Sequence, residues 1–544
     1  MCRSWTSAIA SLASSLPIRG LLAALSLLAL FAAWPACGDE DEPPPTTPTA
    51  TAGMSQPTPS TIDLATTAAD LTVFGGDADD YLADRFSLAQ GDFNGDGIDD
   101  ILVGAPKGDG PDNERTNAGE AYVILGSADV EGTVDIAKDQ HDFTVIGTNA
   151  GDNLGFVVAS GDVNGDGIDD ILIGARFARR PDGGLTYAGE AYVVLGSPDL
   201  SGTVDTALDE QNLTIVGAEA GDYLGYALAA GDVNGDGVDD IIVGAPGADG
   251  PDNNRSGGGE AYVVLGSPNL RGTIDVGQDQ QDFTILSAEV DDFLANFAAS
   301  GDVNGDGIDD ILLGTHMADG PDGQRTDGGV AYVIFGSPEL KGTLDLASGE
   351  EFLTIWGAEA KDWLGFILTA ADVNGDGVDD LLIGARNAAG PDNIRNNCGE
   401  VYVIFGSATL PSTMDIAEEK QDVTLIGSDP NNLFGHSLAS GDVNGDGIDD
   451  VLAGAPAANY REKAGEVLVF LGSAQWPATV DAALAQHELT VLGAEAQDEL
   501  GFSVASGDVN GDGMDDIIGG ALLADGPDNA RPDAGEVHVI LGVP

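Results

Sequence analysis

One ten-residue string recurs seven times along the chain. Gly-Asp-(Phe/Val)-Asn-Gly-Asp-Gly-x-Asp-Asp begins at Gly91, Gly161, Gly231, Gly301, Gly441 and Gly507, and once with alanine in first place, at Ala371. The starts lie 70 residues apart, apart from a last step of 66. The short step has a visible cause, a connection of Ala-Pro-Ala-Ala-Asn-Tyr-Arg-Glu-Lys after Gly454 that is shorter than its counterparts. A long period kept this strictly restricts the chain to stacked or ring-closed repeats, because one unit cannot bury its apolar face alone. Length alone would point to several domains, a prior that the repetition overrides.

Each unit holds four β-like segments. In the third they are Tyr226-Ala-Leu-Ala-Ala, Ile241-Ile-Val-Gly-Ala, Ala261-Tyr-Val-Val-Leu, and Thr273-Ile-Asp-Val leading to Phe283-Thr-Ile-Leu. They are short, rich in Val, Ile, Leu and Tyr, and separated by Gly, Asp and Pro, with no helical period. The expectation is an all-β, seven-bladed propeller with four-stranded antiparallel blades. Thr61-Ile-Asp and Leu71-Thr-Val-Phe read as a fourth strand without strands one to three, and Val537-His-Val-Ile-Leu as a third strand close to the last residue. The N-terminal strand is therefore expected to complete the last blade, leaving no open sheet edge.

The recurring string has the chemistry of a metal loop. Counting from Asp92, side-chain oxygens stand at positions 1, 3, 5 and 9 (Asp92, Asn94, Asp96, Asp100), and the Ile98 carbonyl serves position 7. The equivalent sets are Asp162, Asn164, Asp166, Ile168 and Asp170, then Asp232, Asn234, Asp236, Val238 and Asp240. Next come Asp302, Asn304, Asp306, Ile308 and Asp310, followed by Asp372, Asn374, Asp376, Val378 and Asp380. The last two are Asp442, Asn444, Asp446, Ile448 and Asp450, and Asp508, Asn510, Asp512, Met514 and Asp516. Hard oxygen donors in a Gly-bearing loop, with no His or Cys beside them, select Ca²⁺, up to seven ions. Position 12 lacks the Glu of an EF-hand (it is Val103 in the first loop), and a strand follows instead of a helix. A single such loop is explained by turn propensity alone, but seven intact copies are not.

Here the sequence resembles a known family. Leu224-Gly225-Tyr226, the loop at Asp232 and Gly244-Ala245-Pro246 together look like the FG-GAP repeat of the integrin α-subunit propeller. The resemblance runs from about residue 61 to 544. The Phe-Gly pair is intact only at Phe434-Gly435, and Leu82-Ala83 and Leu294-Ala295 depart furthest from it. Gly-Ala-Pro is intact at Gly104, Gly244 and Gly454 and altered elsewhere, as at Gly314-Thr315-His316. The resemblance implies an extracellular propeller that binds calcium and a partner.

Composition agrees. There are 92 Asp and Glu against 20 Lys and Arg, a formal charge of -72, which repels nucleic acid and anionic lipid and attracts cations. Three cysteines give no disulfide framework. Residues 1–36, with an apolar run from Leu21 to Trp34, read as a signal segment. Ala36-Cys37-Gly38 resembles the lipidation site of bacterial lipoproteins, with Cys37 as the acylated residue and Trp34 off the usual pattern. Residues 37–60 read as an acidic Pro/Thr-rich tether and 61–544 as the propeller. The expected setting is secreted or at a bacterial surface, touching membrane only through a lipid, with a monomeric propeller.

The remaining recurrent residues favour scaffold roles. Gly-Pro-Asp-x-x-Arg recurs from Gly110, Gly250, Gly320, Gly390 and Gly526 and reads as an Asp–Arg pair stiffening a turn. Trp363 and Tyr223 read as inter-blade packing and Cys398 as a small buried residue. No Ser/His/Asp set can be assembled. The functional reading is a surface-displayed adhesion or ligand-binding module for an extracellular protein or polysaccharide. The alternatives are a polysaccharide lyase or hydrolase, which would break the sevenfold symmetry at the central channel, and a multivalent lectin. Broken symmetry also nominates Arg176, Arg179 and Arg180, with Arg85 inserted in the neighbouring unit, as a basic ligand island.

Overall fold

The second segment of every unit is an unbroken apolar run, as in Asp100–Ala105, Asp240–Ala245 and Asp380–Ala385, and each is buried along its whole length. A strand with protein on both faces needs that pattern, whereas alternation serves a strand with one wet face. These runs are the centres of seven sheets arranged as a propeller. The structure, a computed structural model, describes residues 59–180, 184–349 and 352–542. Cys37, the signal segment and nearly all of the tether lie outside the described residues. Among those described, no helix is long and apolar enough to cross a membrane.

Blade one is typical. Leu88–Gly91, Asp100–Ala105, Glu120–Ile124 and Phe143–Ile146 pair antiparallel in chain order, from the channel outward. A fifth strand then corrects the expectation of four. Gly202–Asp205 lies parallel to Phe143–Ile146, with Gly202 opposite Phe143 and Asp205 opposite Ile146, and it comes from the unit that builds blade two. The segment read as one fourth strand, Thr273 through Leu286, is thus two strands in two blades. Gly272–Asp275 joins Leu213–Val216 of the preceding blade, and Phe283–Leu286 stays in its own. The turn Val276–Gln278 separates them: Asp275 accepts from Gly277 N at its start, and Asp279 ends it in the left-handed conformation at φ 54°.

Closure follows the same rule and spans two blades. Ser60–Asp63 is the parallel fifth strand beside Leu489–Leu492, while Leu71–Phe74 pairs antiparallel with Glu536–Ile540 as a fourth strand. Gly132–Asp135 completes that last sheet.

Every lent strand is clamped by an arginine. Arg115 donates from Nη1 and Nη2 to the two carboxylate oxygens of Asp205 at 2.7 and 2.5 Å, and from Nη1 to Gly147 O at 2.9 Å. Arg180–Asp275, Arg255–Asp345, Arg325–Asp415, Arg395–Asp481, Arg461–Asp63 and Arg531–Asp135 repeat the ion pair around the ring. Planar guanidinium suits this two-pronged, half-buried role better than lysine. The arginine of Gly-Pro-Asp-x-x-Arg therefore reaches an aspartate on the borrowed strand, not one in its own turn. Blade two lacks the arginine at that place, where Leu185 stands, and Arg180 supplies the guanidinium from earlier in the same connection.

Candidate functional site

The first strands surround the central channel, lined by residues such as Gln90, Ser160, Ser300, Thr369 and Ser440. The two ends of the channel differ in chemistry. At one end each first strand runs into its Asp-rich loop; at the other stand the residues that precede it.

In the first loop Asp92 accepts from Asp96 N at 3.0 Å and from Gly97 N at 2.8 Å, and Asp96 Oδ1 accepts from Ile98 N at 3.0 Å. Gly95 and Gly97 sit at φ 73° and 86°, which bends the loop back on itself. Asp100 is fully buried and accepts from Phe93 N and Gly126 N at 3.0 and 2.8 Å, with Asn94 Nδ2 donating to it at 3.3 Å. Burial, with Asp92 and Asp96 adding to it, pushes the Asp100 carboxyl up to about 7. Its six equivalents, Asp170, Asp240, Asp310, Asp380, Asp450 and Asp516, are raised to about 7 in the same way.

Two further residues of the string lace the loops together, which sequence reading missed. The aspartate at position 8 faces the preceding loop: Asp169 N donates to Asp92 O at 3.1 Å, and Asp169 Oδ2 accepts from Asp92 N at 3.0 Å. Position 7 contributes packing as well as a carbonyl. Ile168 lies so close over Gly95 that a Cβ there would meet its Cδ1 at 3.0 Å.

The donor set suits a hard cation. Three carboxylates, an amide and a carbonyl share each loop, and an asparagine amide turned over presents oxygen where Nδ2 now faces Asp100. Among the described residues no three His, Cys, Asp or Glu side chains are already gathered as they are around an ion.

The opposite end is irregular. One repeat position gives Phe86, Phe156, Tyr226, Asn296, Phe366, His436 and Phe502 just ahead of the first strands or, for Phe366 and Phe502, within them. Several of the rings touch across blades: Phe86 and Phe156 at 6.0 Å, Phe156 and Tyr226 at 5.1 Å, His436 and Phe502 at 4.7 Å between centroids. The third place of Gly-Ala-Pro, proline in three blades, is Arg176, His316 and Arg386 in the second, fourth and fifth. Arg176 lies 3.3 Å from the Phe156 centroid, and Arg386 lies 3.9 Å from Phe366 and 4.9 Å from Trp363. Arg85 reaches over both Phe86 and Phe366, at 4.9 and 4.7 Å. Arg386 Nη1 and His436 Nδ1 are 2.8 Å apart. Burial together with Arg85 and Arg386 drives His316 down to about 3, so it is neutral, and His436 is driven the same way.

The structure divides the four arginines that broken symmetry nominates. Arg85 and Arg176 lie at the channel mouth, whereas Arg180 is bound to Asp275, and with Arg179 it lines a separate groove beside Thr148 and Glu190. They do not form one island, because blade two needs Arg180 for its strand clamp. Arg386, His316 and His436 are the residues that sequence reading left out, though the change at the third place of Gly-Ala-Pro carried the signal. Trp363 and Tyr223 pack across blades, Trp363 against His316 and Tyr223 against Phe177, and both also line the mouth. Cys398 is fully buried, its thiol pushed up to about 12 by burial, and it is no nucleophile.

The FG-GAP repeat matches at residues 86–124, 154–194, 224–264, 295–334, 364–404, 434–470 and 500–540. The chain is 29% identical over 272 residues to integrin alpha-PS2 of Drosophila melanogaster, covering 48% of this chain and 18% of that protein. It is 30% identical over 329 residues to phosphatidylinositol-glycan-specific phospholipase D of Bos taurus, covering 58% of this chain and 38% of that protein. With integrin alpha pat-2 of Caenorhabditis briggsae it shares 34% identity over 248 residues, 43% of this chain and 18% of the relative. The chain thus spans well under half the length of these relatives. Seven matched repeats that coincide with seven propeller blades place the chain in the FG-GAP repeat family.

Proposed function

We propose that the chain is an extracellular, calcium-bound propeller that serves as a ligand-binding or adhesion module. The observation that supports calcium is the sevenfold repetition of one oxygen-donor loop around a fully buried ninth-position aspartate. An uncompensated carboxylate in that place is costly, and a divalent ion held by Asp92, Asn94, Asp96, Asp100 and the Ile98 carbonyl offsets the cost. Calcium then holds the loop rigid and, through Asp169 and its equivalents, ties each blade to the next. Likeness to integrin α-chains supports the adhesion reading and an extracellular setting, where calcium is plentiful. The test is calorimetric titration of metal-free protein with Ca²⁺ and Mg²⁺. Saturable Ca²⁺ binding with several sites per chain and weak Mg²⁺ binding are expected; no Ca²⁺ uptake rejects the reading.

A second reading, an enzyme acting on acidic polysaccharide, is favoured by the broken symmetry at the channel mouth, where Tyr226, His316, His436 and three arginines meet. Likeness to a phospholipase D keeps enzymes in view. Release of new chain ends from polyuronate decides between them, since a binding module generates none.

A further inference from the structure

We propose that the channel mouth opposite the Asp-rich loops binds a carboxylate or phosphate group carried on a body of monosaccharide size, gripped by Arg85, Arg176 and Arg386. This names a ligand class for the ligand-binding reading and rests on that reading, but not on calcium.

The first support is what these arginines lack. The seven arginines that clamp lent strands each hold an aspartate. Among the described residues, Arg85, Arg176 and Arg386 form no ion pair, in a chain with 92 acids. Their Nε atoms are buried and without a hydrogen-bond partner, as are His316 Nδ1 and His436 Nε2. Asp84 stands on the same rim, but its Oδ1 accepts from the Arg85 backbone N–H at 2.7 Å. Buried donors left unmatched are costly, and a cluster of them on cations awaits an acceptor of negative charge.

The second support is crowding. Three guanidiniums lie over two sets of touching rings that Arg85 bridges, and burial together with Arg85 lowers Arg386 to about 9. Like charges drawn together out of water weaken a fold unless an anion joins them. Cation–π contact returns part of the cost, and although Arg386 Nη1 meets His436 and Arg176 meets Tyr226, the other guanidinium N–H groups remain for ligand oxygens.

The third is shape. A cavity of about 360 Å³ opens here, lined by Arg85, Tyr226, Trp363, Phe366 and Arg386, and Arg176 borders it behind the Tyr226 ring at 5.2 Å. That volume lies within the range of small-molecule sites and admits one sugar-sized group, with aromatic faces for its C–H surface. The symmetry argument points the same way: a scaffold demand repeats in every blade, and this set does not.

The test uses the full propeller with Ca²⁺, titrated with glucuronate, glucose 6-phosphate and, as the uncharged counterpart, glucose. At least one of the two anions should bind about tenfold or more tighter than glucose, a difference of about 1.4 kcal/mol. Arg176→Met with Arg386→Met should lose that affinity without a lower melting temperature. Arg180→Met should do the reverse, melting lower while binding as before. Should the double variant fail to fold, Arg386→Lys keeps the charge, removes the fork, and should weaken binding alone. Absence of anion binding at about 10 mM, or a folded double variant that binds like the parent, overturns the proposal. If the anions fail while the parent is still retained on glycans or cells, this site falls and the broader ligand-binding reading stands.

Discussion

The two ends of the channel obey opposite rules. At the loop end every blade repeats the same donor residues and the same lacing to its neighbour. At the mouth one repeat position holds proline in three blades, arginine in two, histidine in one and leucine (Leu522) in the last. Identity in every blade is what a scaffold needs, because each blade meets the same neighbours. A single ligand meets different blades, so its site must differ from blade to blade. The loop end carries three carboxylates in every loop, and the mouth carries Arg85, Arg176 and Arg386.

The largest effect should come from removing metal at the uniform end. With free Ca²⁺ about a hundredfold above the dissociation constant, each occupied site adds roughly 2.7 kcal/mol. Across all loops the chelated protein should melt on the order of 10–20 °C lower, recovering with Ca²⁺ more than with Mg²⁺. Calorimetric scans with and without chelator measure it, and an unchanged melting temperature breaks the comparison at its base.

Single loops should then prove equivalent. Asp100→Ala and Asp380→Ala remove the same buried ligand from blades one and five, and each should cost about 2–3 kcal/mol in Ca²⁺. Matched substitutions at the mouth should not be equivalent: Arg386→Met should alter ligand binding, and Pro456→Met at the same place in blade six should not. Denaturant titrations and binding isotherms on the four variants test this asymmetry.

A smaller effect concerns pH. The ninth-position carboxyls are raised to about 7 from the ordinary 3.8, so without metal they favour the fold when protonated. That stability is fully present below the unfolded value and is lost as pH rises towards 7. Bound Ca²⁺ needs them ionised, so its stabilisation grows over the same window. Glu190 and Glu536, raised to about 7 and 8 by burial away from the loops, contribute a falling trend in both conditions. The gap between the melting profiles in Ca²⁺ and in chelator should therefore widen from pH 4.5 to 7. Parallel profiles would remove the loops from the account.

The smallest effect is a gain. Arg386→Met replaces a crowded guanidinium with an apolar side chain of similar length, and should raise the melting temperature by about 1–2 °C in ligand-free protein. A clear loss instead would make Arg386 a structural cap and weaken the contrast between the ends.

Much of the uniform end was legible in the sequence, because a string repeated seven times is its own alignment. Gly-Asp-x-Asn-Gly-Asp-Gly fixed the donor spacing, and the apolar runs after it fixed the buried strands. The lent strand was not legible. Thr273-Ile-Asp-Val and Phe283-Thr-Ile-Leu both favour strand, and nothing local says that the first pairs with a different blade. Asp99 and Asp169 read as part of a metal string although they bind the neighbouring loop. Arg180 was read by its departure from the consensus, while its partner Asp275 lies 95 residues on. Arg386 and His316 were visible as changes from proline, but only the closed ring puts blades two, four and five around one opening.

The lent strands also set a timetable. Ser60 pairs with Leu489, 429 residues later (489 − 60), and Leu71 with Val539. Synthesis at about 5–20 residues per second keeps the first strand waiting roughly 20–90 s for its partner. Blade one is finished only when Gly202–Asp205 of the next unit emerges, blades two to five wait on their successors in the same way, and blades six and seven close on strands made at the start. The ring is thus written blade by blade and sealed last. Its first strand must endure that interval alone and its second with only Gly132–Asp135 beside it, and at four residues each, with Thr61 and Thr72 among them, they offer a stray edge little to extend.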